Sequence, residues 1–250
     1  MHQPKITLMQ IQKINISSIR DFIGGCSDYF RHPEMKASWG GPFNGQDFRK
    51  KIFFDLLDNL SLNTIVETGT YQGTTTALFL STSLPVYSTE SHHRYYGYSL
   101  TRFLTKWQNL RLYRMDSRDF LRSLAAATSF PKQNIFFYLD AHWENDLPLR
   151  EEIEIIVSYW RQSVIMIDDF CVPGTDYEYD NYGEGKALNL DYLYPVIVKN
   201  LIPIFFPAVG ADGETGAKRG AVVLGTDCDI GSKLEHIATL KKFNQEIYMG

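Results

Sequence analysis

The stretch TIVETGTYQGTTT, Thr64 to Thr76, decides the fold. Thr64 to Thr68 is short, β-branched and apolar, as a buried strand requires. Gly69 and Gly73 bracket a turn, and Thr74, Thr75 and Thr76 open a helical run of small and apolar residues. A strand passing through a glycine turn into a helix is the first half of a βαβ unit. The same alternation continues outward. Strand-like runs PVYSTE, NLRLYRM, NIFFYLD and SVIMID are separated by the helical stretches HRYYGYSLTRFLTKW, SRDFLRSLAAA and PLREEIEIIVSYW. Upstream, Phe48, Ile52, Phe53, Leu56, Leu57 and Leu60 recur at helical spacing. The pattern predicts an α/β, Rossmann-like, doubly wound sheet, mostly parallel, with helices on both faces. The late runs IPIFFP and AVVLG are separated by a loop alone and read as a closing hairpin. Residues 1–45 end in the Gly- and Pro-rich ASWGGPFNGQ and read as an N-terminal arm or lid; residues 46–250 read as one domain.

Composition sets the bounds. A chain of 250 residues with 44% hydrophobic and 22% charged residues can bury an ample core. The net charge of −4 offers no footprint for a nucleic-acid backbone. No apolar run reaches the roughly 18 residues needed to cross a bilayer, and the N-terminus lacks the uninterrupted apolar segment of a secretion signal. Cys26, Cys171 and Cys228 are odd in number and share no short spacing. That argues against a disulfide framework or a zinc site and for a reducing cytoplasm. A homo-oligomer is left open.

In an open parallel sheet, ligands bind beyond the carboxyl ends of the strands. Glu67 ends the first strand there, beside Gly69, Thr70, Tyr71 and Gly73. The spacing is neither that of a dinucleotide site nor that of a P-loop, since no lysine follows. The second strand ends at Glu90 and Ser91, 23 and 24 residues after Glu67, where a carboxylate suits the two hydroxyls of a ribose. The third ends at Asp116 and Ser117, which suit an adenine amino group. The plainer alternative is that Glu90 and Asp116 only cap helices.

ETGTYQG followed by STE and MDS resembles a class I S-adenosylmethionine-dependent methyltransferase, and within that class the group around macrocin O-methyltransferase and cephalosporin hydroxylase-like proteins. The resemblance implies a seven-stranded sheet whose last strand is antiparallel. It implies S-adenosylmethionine held by Glu67, Gly69, Thr70, Tyr71, Gly73, Glu90, Ser91, Asp116, Ser117 and Asp140. The enzyme then has to align the sulfonium methyl with an acceptor and deprotonate a hydroxyl.

On the acceptor side, Asp140 ends the fourth strand, and Asp168 and Asp169 end the fifth, 28 and 29 residues further on. Neighbouring strands lie about 4.8 Å apart, so these carboxylates converge, and a divalent cation such as Mg²⁺ would relieve their repulsion. The trio resembles the metal triad of catechol O-methyltransferase. That enzyme's lysine three positions on is Trp143 here, so His142 becomes the candidate base, beside Asp140. Trp143 is expected to wall the pocket. Five tyrosines between Tyr177 and Tyr194 suit a sugar or aromatic small-molecule acceptor, and Lys218 with Arg219 an anionic one. A metal-assisted O-methyltransferase is the resulting expectation. A non-catalytic nucleotide-binding protein of the same fold and an NAD-dependent oxidoreductase stand as alternatives.

Overall fold

Alternation between apolar strands and one-faced helices produces a three-layer α/β structure. The computed structural model describes residues 16–106, 108–142 and 146–244. Its strands are β1 (Thr64–Thr68), β2 (Val86–Thr89), β3 (Leu110–Tyr113), β4 (Ile135–Leu139), β5 (Val164–Ile167), β6 (Ile204–Pro207), β7 (Val222–Gly225) and β8 (Leu240–Lys242). They form one sheet in the order β3-β2-β1-β4-β5-β7-β6-β8. The first five run parallel, β7 is antiparallel to β5 and β6, and β8 is antiparallel to β6. The sheet therefore has eight strands, where seven were expected. The added strand spans three residues with Lys241 and Lys242 exposed, so it carries no apolar periodicity of its own and exists by pairing to β6.

The helices are α1 (Ile16–Arg31), α2 (Asp47–Asn59), α3 (Thr74–Ser81), α4 (His93–Arg102), α5 (Ser117–Ala126), α6 (Leu149–Tyr159), α7 (Leu190–Asn200) and α8 (Cys228–Leu234). β1, β4 and β5 are buried along their whole length, as central parallel strands must be. On one face, Phe120, Leu149, Ile153, Ile156, Leu193 and Trp160 close a core under α5, α6 and α7. On the other, Ile52, Phe53, Leu56 and Phe79 from α2 and α3 pack against Phe136 and Tyr138 of β4.

The stretch before α2 is anchored rather than loose. Phe43 is fully buried against Phe53, Phe79 and Tyr138. Gln46 is buried too and donates to the Arg219 carbonyl. Further back, α1 crosses α4 so closely that a Cβ on Gly25 would overlap the Arg94 carbonyl and one on Gly97 the Phe22 carbonyl. Asp28 and Arg94 tie the crossing at 2.6 Å. No helix among the described residues is long and apolar enough to cross a membrane.

Candidate functional site

The carboxyl ends of β1, β2 and β3 place one acid each, and each acid is held by its own neighbourhood. Glu67 on β1 is 1% exposed and accepts the hydroxyls of Thr76 at 2.6 Å and Ser88 at 2.5 Å. Burial pushes its carboxyl up to about 7, against the pull of those two hydrogen bonds. Thr70 shares a 2.5 Å hydrogen bond with Ser88. Tyr71 takes a positive φ of 49°. Its N–H donates to Glu90 at 2.8 Å, the His92 N–H donates to the other Glu90 oxygen at 2.7 Å, and burial raises the carboxyl. Ser91 is exposed beside it.

The two glycines of the loop answer first to internal packing. Gly69 has φ +87°, and a Cβ there would stand 2.2 Å from the Asp140 carbonyl oxygen. A Cβ on Gly73 would strike the Phe103 ring at 2.4 Å. Asp116 caps α5 by accepting the Arg118 N–H at 2.9 Å and also pairs with the Arg118 guanidinium at 2.7 Å, which holds its carboxyl below the usual range. Ser117, the first residue of α5, is nearly buried.

At the ends of β4, β5 and β7 the partners come from far along the chain. Asp168 is 1% exposed, paired with the buried Arg49 of α2 and bonded by the Tyr138 hydroxyl. Arg49 also donates to the carbonyls of Arg219 and Gly220, locking the start of β7 to α2. An internal guanidinium thus already neutralises Asp168. Three other donors meet instead: oxygens of Asp140 and Asp169 and a ring nitrogen of His142 lie within 4.8 Å of one another. His142 Nε2 is 3.9 Å from Asp140 and 3.7 Å from Asp180. Its side chain is 1% exposed, and neither ring nitrogen has a hydrogen-bond partner among the described residues. Burial lowers its proton affinity, with Asp169 and Asp180 opposing, so the imidazole is held toward its neutral form. Asp140 is raised well above the usual range by its recess and by the nearby charges of Asp169 and Glu67.

Arg219 does not wait for an anionic acceptor. Its Nε lies 2.6 Å from Asp169, and its terminal nitrogen pairs with Asp180, whose other oxygen accepts the Tyr182 hydroxyl. Asn44, from the stretch before α2, reaches Asp169 at 3.5 Å. Lys218 is exposed. Of the tyrosines, Tyr177 is buried with a hydroxyl that has no hydrogen-bond partner among the described residues, Tyr179 is exposed, and Tyr192 and Tyr194 lie in α7. Trp143 lies outside the described residues.

Arg49, Glu152 and Asp180 escaped the sequence reading. Arg49 precedes Ile52, Phe53 and Leu56 by three, four and seven positions, so a charge stood in an apolar stripe, which is a detectable signal. Glu152 stands in the same way among Leu149, Ile153 and Ile156. Asp180 sits in an irregular loop with no such pattern.

A parallel sheet with an antiparallel pair after its fifth strand, its polar groups gathered at the carboxyl ends, has known counterparts. The structure is similar to an O-methyltransferase of Bacillus cereus in complex with SAH: 14% identity, 86% of this chain and 92% of that one, TM-score 0.51. The fold is that of the class I methyltransferases. A second counterpart is the O-methyltransferase TomG of Streptomyces achromogenes in complex with SAM, at 14% identity over 86% of this chain and 91% of that one, TM-score 0.51. A third is the glycopeptide N-methyltransferase MtfA complexed with S-adenosylmethionine, at 12% identity over 74% and 86%, TM-score 0.50. At these identities the likeness is one of fold. No protein-family model and no curated protein matches the chain.

Proposed function

We propose that the protein is an S-adenosylmethionine-dependent O-methyltransferase that acts, with a divalent cation, on a hydroxyl of a small molecule. The observation that carries this reading is the meeting of Asp140, His142 and Asp169 at the carboxyl ends of β4 and β5, with the Glu67 charge felt at Asp140, on this fold. Each Glu90 oxygen already accepts one backbone N–H, which fixes the carboxylate and leaves lone pairs for two ribose hydroxyls. Glu67, Gly69, Thr70, Tyr71 and Gly73 form the wall for the rest of the cofactor, with Ser91, Asp116, Ser117 and Asp140 around it. The sulfonium supplies an activated methyl; the chain supplies alignment.

The donor set fits a cation on charge and chemistry. Among the described residues, Asp140, Asp168, Asp169 and Asp180 have two guanidinium partners, Arg49 and Arg219, a formal surplus of two negative charges. A buried, neutral imidazole with free nitrogens is a better ligand than base, so we assign His142 to the ion, together with Asp140 and Asp169. Bound there, Mg²⁺ or another divalent cation supplies Lewis acidity that lowers the pKa of a hydroxyl beside it. Arg219 orients Asp169 and Asp180 behind the donors.

We further read the arm expected over residues 1–45, of which 1–15 lie outside the described residues, as covering the cofactor crevice through its described part, residues 16–45. Support comes from Ser38, whose hydroxyl meets Gln72 of the glycine loop, and from Arg102, which donates to the carbonyls of both Gln72 and Lys36. Titration calorimetry with S-adenosylmethionine and with NAD tests the cofactor. Transfer of labelled methyl to a panel of sugars and phenols, with and without EDTA, tests the reaction. Binding of NAD alone rejects the transferase reading, and full activity in excess EDTA rejects the metal.

A further inference from the structure

We infer that α1 is a homodimer interface, at which two copies of the chain pair their α1 helices antiparallel about a two-fold axis at Ile23. The inference is independent of the transferase reading. Within one chain, α1 is committed on one face only. A Cβ on Gly25 would overlap the Arg94 carbonyl of α4, and the rings of Phe22 and Tyr29 meet Tyr96 and Tyr98 of the same helix. Ile16, Ile19, Ile23 and Phe30 are turned away from that contact and are 82%, 45%, 60% and 73% exposed. Ile16, Ile23 and Phe30 stand seven residues apart, so they follow one line along the helix, which drifts by only about 20° at each step. Among the described residues nothing covers this line.

Soluble monomers rarely leave a contiguous apolar patch of this kind in water. At about 100 Å² of apolar surface for each large side chain, the stripe offers on the order of 400 Å² per copy. A standard interface takes about 800 Å² from each partner, a little over half of it apolar, so the stripe matches the apolar share of one such interface.

The spacing selects a second copy as the occupant. A closed pair of identical chains has a two-fold axis, and the patch must fit itself. With the axis at Ile23, an antiparallel pair sets Ile23 against the partner's Ile23 and Ile16 against the partner's Phe30, the heptad spacing of a coiled-coil seam. On the flanks, Ile19 meets the partner's Cys26 and Arg20 meets the partner's Ser27, so no cation faces a cation. A parallel pairing would set Arg20 and Arg31 each beside its own copy, and like charges so placed repel. A second exposed run, Tyr194, Val198 and Leu201 at the end of α7, is less exposed at its first two positions and lacks this symmetry.

Sedimentation velocity of the full chain at micromolar concentration, paired with cysteine cross-linking, tests the interface. The wild type is expected to sediment as a dimer. Ile23→Asp sets two carboxylates against each other at the axis and should weaken association by about a hundredfold or more. Phe30→Ser removes an apolar anchor at each end of the seam, should weaken association by about tenfold or more, and serves in its place if circular dichroism shows the aspartate variant unfolded. In a chain carrying Cys26→Ser and Cys228→Ser, Ile23→Cys should cross-link to its copy on oxidation. Ile16→Cys should not, because antiparallel pairing holds it about 21 Å from its copy along the helix axis. A monomeric wild type overturns the inference, whether the stripe is then bare or covered by residues 1–15. So does a dimer left intact by a folded Ile23→Asp or Phe30→Ser variant, which would assign association to another face such as the α7 run. Equal cross-linking at positions 16 and 23 overturns the antiparallel arrangement.

Discussion

The two halves of the crevice solve the same electrostatic problem in opposite ways. Beyond β1, β2 and β3, each acid is satisfied by partners no more than 21 residues away: Glu67 by Thr76 and Ser88, Glu90 by two loop N–H groups, Asp116 by Arg118. Beyond β4, β5 and β7, Asp168 and Asp169 depend on Arg49 and Arg219, brought in from distant helices and loops. Local hydrogen bonds cost little to assemble and give a rigid wall. Long-range pairs in a buried cluster bind the fold together and leave Asp140 and His142 without a guanidinium partner among the described residues.

The largest effect should come from removing a donor in the second half. Asp169→Ala is expected to lower metal-stimulated methyl transfer by about three orders of magnitude, given that a cation contributes several kcal/mol to such a step. S-adenosylhomocysteine affinity should be unchanged. A parallel loss of cofactor binding would show that the two halves are not separable.

Next is Arg49→Ala, which strands the buried Asp168 carboxylate. Breaking a buried pair from one side costs about 3–5 kcal/mol, to be read from urea unfolding of the cofactor-free protein. A loss below about 1 kcal/mol, the scale of a surface pair, would mean that water reaches Asp168.

A smaller, pH-dependent effect belongs to Glu152, whose folded pKa of about 7 exceeds its ordinary 4.5. The folded state binds the proton more tightly, so this contribution is fully present below about 4.5 and is lost as pH rises through 7. Its upper size is on the order of 3 kcal/mol, at about 1.4 kcal/mol per pKa unit. Glu152→Gln should therefore flatten the fall in unfolding midpoint between pH 4.5 and 8; an unaltered slope would assign that fall to the other raised acids, Glu67, Glu90 and Asp140. The smallest effect is expected for Asp116→Ala. Loss of the α5 cap should cost about 1 kcal/mol in thermal unfolding, and a cost of several kcal/mol would place Asp116 among the tightly coupled acids of the other half.

Much of the first half was legible because its cause is local. The run TIVET is the observed β1, and the acids at the strand ends lie where the alternation placed them. The αβ alternation and the closing antiparallel pair were legible for the same reason. β8 was not, since three residues ending in two lysines show no period and gain strand form only from β6. In the second half the sequence marked Asp140, His142, Asp168 and Asp169, but not how they divide.

By itself, then, the sequence determined the order of strands and helices along the chain and the edge of the sheet that carries polar groups. These depend on residue spacing within about one element, where periodicity and turn chemistry act. Only the tertiary structure decided that Arg49 takes Asp168, that Arg219 bridges Asp169 and Asp180, and that the His142 ring nitrogens are buried without a hydrogen-bond partner among the described residues. Charges pair by distance in space, and folding sets those distances by packing α2 and the β6–β7 loop against the strand ends, contacts that no spacing along the chain encodes.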